Sequence, residues 1–356
     1  MIRQHGDLEA PRLELLPGVT RSAALLVLGA LVLQLGFVFS YVGAFHSPTL
    51  RDAPIGVVAP AGAPPGAAQS VADKLNGLDG GPVDAAAYPD EDSARRAIAD
   101  RDIAGAFLVG AQNSDTLLVT TAEGGTLSAA LEEAITRIDA GQQRTVTTKD
   151  VLPSGDEDNQ GLSAFYLAVG WLVGGYLVAA LLGVSSGYGS STRRRGGVRL
   201  GALALYSVLS GIGGAVIVGP LLGALPGHFV ALSALGALLV FAVGATTMAL
   251  QVWTGLIGIG LAIGLYVVLG NPSAGGAYPA PLLPPFWAAI GPYLPPGAGT
   301  SGVRGIIYFS GAGTGSAATV LAVYAVVGVV VTLLGAGRSR EAKKTAAEQE
   351  RTQALE

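Results

Sequence analysis

No aspartate or glutamate occurs between Asp158 and Glu341, and the only basic side chains in that interval are Arg193, Arg194, Arg195, Arg199, Arg304, Arg338 and Arg340. A water-soluble fold with so long an uncharged stretch would expose a large apolar patch. In a bilayer the same stretch is favourable, because an unpaired charge in hydrocarbon is expensive. Charged residues make up only 13% of the chain, about half the usual share of a soluble domain. The interval therefore reads as membrane protein, and the net charge of -4 says little, since the charges lie at the ends.

Hydropathy divides the chain. Residues 1–21 are a polar segment with Arg3, Arg12 and Arg21, expected in the cytoplasm. Residues 22–46 are apolar and uncharged up to His46, long enough for a first crossing of a hydrocarbon core of roughly 30 Å. The run is too long for a cleaved signal peptide, and no small-x-small site follows it. Residues 162–336 predict five more spans: Leu162–Val184, Leu200–Leu222, two helices within Phe229–Leu269 separated by a turn near Gln251–Gly255, and Ala317–Ala336. Ser185–Arg199 is expected as a loop. Residues 337–356 form a charged, helix-prone tail.

Residues 47–161 differ in kind. Acidic side chains outnumber basic ones, and short apolar runs alternate with helix-like ones. Strands are expected at Ile55–Val58, Val83–Tyr88, Ile103–Val109 and Thr116–Thr121. Helices are expected at Gly66–Leu75, at Asp90–Ala99 with an acidic first turn, and at Thr126–Arg144. This alternation predicts a small α/β domain with a core of its own. With no cysteine, that core has no disulfide to help it. The fold class expected is thus an α-helical polytopic membrane protein of about six transmembrane helices, with a small α/β extracytoplasmic domain between spans one and two. Placing both termini inside puts Arg3, Arg12, Arg21, Arg193–Arg195 and the basic tail in the cytoplasm, leaving Arg304 alone in the short outer loops, as the positive-inside rule requires.

The motifs that would carry chemistry lack their setting. Gly183–Gly187 matches the nucleophile elbow G-x-S-x-G, yet it falls at the end of a membrane helix, and no acid follows before Glu341. Gly297–Gly302 matches G-x-G-x-x-G, but Pro295-Pro296 stands where a strand is needed. No lysine follows a glycine, so a P-loop is excluded. His5, His46 and His228 are far apart, which disfavours a histidine metal cluster. The acidic runs Asp90–Asp92 and Asp156–Asp158 read as solvated surface or a helix start before they read as weak cation sites. No catalytic residue, cofactor site or metal site is assigned, and no enzyme activity or nucleic-acid partner is expected. None of the expected spans holds an acid, which argues against a proton-driven carrier and for a machine driven from outside itself.

Residues 271–315 are rich in glycine and proline. Asn271-Pro272-Ser273 and Gly275–Pro279 break the preceding helix. Leu282, Leu283, Phe286, Trp287, Ile290, Tyr293 and Leu294 then recur at helical spacing, as in short interfacial helices. Broken backbone of this kind must pack on protein or lie at the interface. Phe286, Trp287, Tyr293 and Arg304 are the candidate gate or interface residues, with Trp287 and Tyr293 near headgroup level and Arg304 within reach of lipid phosphates or an anionic substrate. Arg193, Arg194 and Arg195 are candidates for topology or for docking a cytoplasmic partner.

This order of one span, a large ectodomain and five spans resembles the ABC-2-type permeases, as does the run Gly270–Pro279, Leu282–Phe286, Pro292–Pro295 and Arg304. Within them it is most similar to the YhgE/Pip (phage infection protein) group of bacterial membrane proteins. The resemblance implies a half-transporter of the inner membrane that pairs with itself or a similar permease, uses a separate ABC ATPase, contacts membrane lipids, and exports an amphipathic or lipidic compound. A different class of function, a non-transporting receptor or an envelope or secretion scaffold acting through residues 47–161, is the alternative.

Overall fold

The structure, a computed structural model, describes residues 14–16, 19–111, 113–158, 160–186 and 192–335. A short antiparallel pair, β1 (Glu14–Leu16) and β2 (Val19–Thr20), precedes helix α1 (Arg21–Phe45). Thr20 caps α1 by accepting a hydrogen bond from the Ala23 amide at 3.2 Å. The tail expected at 337–356 lies outside the described residues.

The α/β domain follows. Its chain order is β3 (Ala53–Val58), α2 (Ala67–Asn76), β4 (Val83–Tyr88), α3 (Glu91–Ala99), β5 (Gly105–Leu108), β6 (Ser114–Val119), α4 (Gly125–Gly141) and β7 (Thr145–Asp150). The five strands form one sheet in the order β4-β3-β5-β6-β7. All neighbours run parallel except β5 and β6. Parallel strands need helical crossovers, which α2, α3 and α4 supply. Ile55, Val57, Leu117 and Val119 of the sheet meet Leu127, Leu131 and Ile135 of α4 on one face. Val58, Ala106 and Leu118 meet Ala94 and Ile98 of α3 on the other. Asp90 caps α3 through the Ser93 amide at 2.7 Å, and the Ser93 hydroxyl, donating at 2.7 Å, together with that amide holds its carboxyl below the usual carboxylate range. The acidic run Asp90–Asp92 is therefore a helix start.

Among the described residues, five helices are long and apolar enough to cross a membrane: α1, α5 (Ser163–Ser186), α6 (Arg193–Val216, continued by a π-helical turn Ile217–Leu221 around Pro220), α7 (Phe229–Thr254) and α11 (Thr314–Gly335). Six spans were expected. The remaining one is α8 (Ile257–Ile263) with a π-helical continuation, Gly264–Gly270. At 1.5 Å per residue it spans only about 20 Å, short of a hydrocarbon core of roughly 30 Å. The break between α7 and α8 falls at Gly255, whose φ of 64° ends the helix. The loop expected at Ser185–Arg199 is shorter than read. Thr192 caps α6 through the Arg195 amide, so Arg193–Arg195 form the first turn of the helix and Arg199 is buried within it.

Helix α7 is the axis of the bundle: Leu232, Leu235, Leu239, Val240 and Val243 are all buried in the principal core cluster. Small residues let the helices approach closely. A Cβ on Gly211 of α6 would stand 2.3 Å from the Ser233 carbonyl of α7, and one on Gly328 of α11 would stand 2.6 Å from the Ala245 backbone. Between the spans, residues 271–313 form α9 (Pro285–Ile290), 3-10 turns at Ala280–Leu282 and Gly291–Tyr293, and α10 (Pro295–Tyr308). In the stretch where short interfacial helices were expected, the two helices are α9 and α10. Prolines start both, supplying the fixed φ of a first helical turn where no amide donor is needed.

Candidate functional site

The α/β domain and the broken segment 271–313 are fastened together by a buried charged network. Arg304, on α10, is 2% exposed. Its Nη1 donates to the Gly275 carbonyl at 2.8 Å, and its Nη2 donates to the carbonyls of Gly161 at 3.3 Å and Gly276 at 3.4 Å. It therefore ties α10 both to the break and to the last residues before α5. The sequence suggested that Arg304 reaches lipid phosphates; it is instead buried, and its two terminal nitrogens donate to backbone carbonyls of the break and of Gly161. Gly161 has a φ of 65°, and a Cβ there would lie 2.7 Å from the Thr121 carbonyl, so only glycine fits this join.

Two acids complete the network. Asp158, 5% exposed, accepts the Ser163 amide at 2.9 Å, starting α5, and accepts the Tyr308 hydroxyl at 2.9 Å. Glu123 accepts two hydrogen bonds from Arg101, from Nε at 3.1 Å and from Nη2 at 2.9 Å. The remaining arm of Arg101 donates to the Ser301 carbonyl and hydroxyl, each at 3.1 Å, and its guanidinium lies 5.0 Å from the centre of the Phe309 ring. The seam thus holds one ion pair, Arg101 with Glu123, and two further charged groups, Arg304 and Asp158, bonded to neutral partners. Apolar contacts reinforce the seam: Leu282 is buried in the core of the α/β domain with Tyr278 beside it, and the Thr126 hydroxyl donates to the Ala277 carbonyl at 2.8 Å.

Of the other expected gate residues, Trp287 is buried against Ala44 of α1 and Leu283. Phe286 and Tyr293 are exposed, at 57% and 71%. Arg193–Arg195 lie at the far end of α6, away from this seam. Arg101, Glu123, Asp158 and Tyr308 were not singled out in the sequence. The signal was weak: Asp158 sat in a run that read as solvated surface, and nothing local marks Arg101 or Glu123 as interface residues.

Two spaces flank the seam. One, of about 640 Å3, lies between the domain and the broken segment, with Arg51, Asp52, Asp100 and Arg101 above and Leu283, Pro285, Ala288 and Phe309 below. The other, of about 580 Å3, is an apolar groove between α5 and α6 on the side of the α/β domain, lined by Tyr166, Gly170, Trp171, Gly213 and Ile217. Trp171 forms its inner wall, its indole N–H donating to the Ser210 carbonyl at 3.0 Å. Its ring occupies the space where side chains on Gly214 and Gly236 would stand. The Gly297–Gly302 run lies inside α10, and Ser185 ends α5 with its hydroxyl donating to Leu182. Among the described residues, no cluster of histidine and acids has the makings of a metal site.

No family model, no curated protein and no solved structure matches this chain. The chain is a helical protein with several membrane-spanning helices and a five-stranded α/β domain.

Proposed function

We propose that the protein is the membrane subunit of an ABC-2-type exporter, moving an amphipathic or lipidic compound outward with energy from a separate ATPase. The apolar groove between α5 and α6 is the observation that carries this reading. It lies between two spans, and its walls are mostly aromatic, aliphatic and glycine, with Ser163 and Ser210 the polar exceptions. A substrate with an alkyl portion can enter such a groove from the bilayer without crossing water.

Three further points support the reading. The spans hold no carboxylate, so no proton relay competes with an external energy source. Arg193–Arg195 open α6 on the face opposite the α/β domain, where the positive-inside rule sets the cytoplasm and a partner ATPase would dock. The seam joins the domain to α10, so a movement of the spans would carry the domain with it. Six crossings follow from the same reasoning. The Gly270 end of α8 must return to the face where Gly275 and Gly276 meet Arg304, so the short helix crosses a locally thinned bilayer.

Purification of the tagged chain from its native membrane in mild detergent tests the proposal. A co-purifying P-loop ATPase, lost when Arg193, Arg194 and Arg195 are all changed to glutamine, is the expected result. A stable complex with envelope or secretion components and no ATPase would replace the proposal with the scaffold reading.

A further inference from the structure

We infer that the cavity between the α/β domain and the broken segment binds the head of an amphiphile that carries an ammonium group. The inference rests on the export reading for its substrate class and adds the site and the head-group chemistry.

The charges around the cavity decide the sign. Arg101 and Glu123 neutralise each other, and the donors of Arg101 are spent on Glu123, Ser301 and Ala312. What remains is Arg51, Asp52 and Asp100, a net negative charge. Among the described residues, neither Asp52 nor Asp100 forms an ion pair with a basic side chain, whereas Arg51 already donates to the Thr49 carbonyl at 3.2 Å.

Asp100 has a second peculiarity. It is the C-terminal cap of α3, where the helix dipole presents its negative end. An acid is the wrong charge for that position. Arg96 in the last turn of α3 relieves it only in part, because its guanidinium turns back to the Ser93 hydroxyl at 3.0 Å. A cation in the cavity would meet the Asp100 carboxylate and the helix end together. Asp52 also lines the cavity, with a φ of 44°, a left-handed backbone that residues other than glycine, asparagine and aspartate seldom adopt.

The floor supplies the apolar half of the match. Leu283, Pro285, Ala288 and Phe309 line it, and the next side chain after Pro285, Phe286, is exposed. A primary ammonium donates up to three hydrogen bonds, enough for two carboxylates, while an attached alkyl chain lies along this floor. An anionic head would face two unpaired carboxylates, and a neutral one would leave them unpaired.

Photolabelling of the purified full chain tests the inference with three probes of one chain length: a diazirine-bearing decylamine, the matching carboxylic acid and the matching alcohol. Adducts are mapped by mass spectrometry at pH 7. The amine should label peptides covering residues 279–288 and 100–104 saturably, about tenfold more than the acid or the alcohol. Asp52→Asn with Asp100→Asn should abolish that preference while leaving adducts on the lipid-facing side of α1 unchanged. Ala288→Trp, which fills the floor, should remove labelling at 279–288 for all three probes. Equal labelling by the three probes, stronger labelling by the acid, or an amine preference that survives the double substitution overturns the inference. None of these readouts uses ATP or a partner, so an ammonium site can stand if the export reading fails, and fall if it holds.

Discussion

Arg304 and Asp139 are both buried, and their surroundings set opposite demands. The guanidinium of Arg304 fans over three backbone carbonyls from two stretches of chain. A lysine at that position presents one point of donors and cannot span them. Arg304→Lys should therefore lower stability by about 1.5–3 kcal/mol, the range for hydrogen bonds made by a charged group, read as thermal unfolding of the detergent-purified protein. Tyr308→Phe, which removes one hydrogen bond to Asp158, should cost about 1–2 kcal/mol. At the end of the α/β domain far from the seam, Arg144 grips both carboxylate oxygens of Asp115, the Nη2 contact at 2.6 Å, and also donates to the Gly110 carbonyl at 3.0 Å. Asp115 is held below the usual carboxylate range despite its burial, through the Arg144 and Gly110 hydrogen bonds. Burial and the neighbouring Asp115 charge push Asp139 up to about 6. Folded Asp139 therefore keeps its proton to higher pH than unfolded Asp139 does. Stability is full near pH 4, falls as pH rises toward 6, and levels off above. Asp139→Asn should flatten that fall and raise stability at pH 7.5 by about 1–3 kcal/mol, measured by urea unfolding of the excised domain. The acids and arginines of the seam were not legible in the sequence because their partners are distant in the chain: Arg101 bonds to Ser301, and Arg304 bonds to Gly161.

At the scale of elements, strongly periodic or strongly apolar segments were legible. Val83–Tyr88 forms the strand expected of it, and Asp90 caps the helix that its acidic run predicts. The sequence reading missed β7, Thr145–Asp150, whose residues are mostly polar and exposed. As an edge strand it needs only one neighbour and buries little, so no alternation of apolar residues marks it; only β-branched threonine and valine do. The Ser185–Arg199 loop was read too long because three arginines look unlike a membrane helix, yet they form the first turn of one. Glycine spacing also hid the helix packing: Gly211 reads as a weak helix former, and its reason is the 2.3 Å gap to Ser233 that a Cβ would violate. Gly211→Ala should push α6 from α7 and cost about 1–3 kcal/mol, the range for overpacking. Gly197→Ala, with open space around its Cβ position, should leave the unfolding temperature of the detergent-purified protein the same or higher.

The whole molecule joins a groove, a cavity and a seam on one face of the membrane helices. Its membrane class was legible from the missing acids alone. The proposed sixth crossing was legible only as an excess of apolar length, because a 7-residue α-helix with a 7-residue π-helical continuation gives no separate signal of span length. Single cysteines introduced at Ser70 on α2 and Thr254 at the end of α7 check the orientation, since the native chain has no cysteine. A membrane-impermeant thiol reagent on intact cells should modify the first and spare the second. The central claim is that the chain moves an amphiphile outward at the expense of ATP. Reconstitution with the co-purified ATPase into liposomes containing a fluorescent, ammonium-bearing lipid analogue tests it directly. ATP added outside energises only molecules whose cytoplasmic face is outward, so export moves the analogue into the inner leaflet. The account predicts that ATP raises the fraction of fluorescence protected from dithionite, and that Gly170→Trp, which fills the groove, abolishes the rise. ATP hydrolysis without any change in the protected fraction would contradict it.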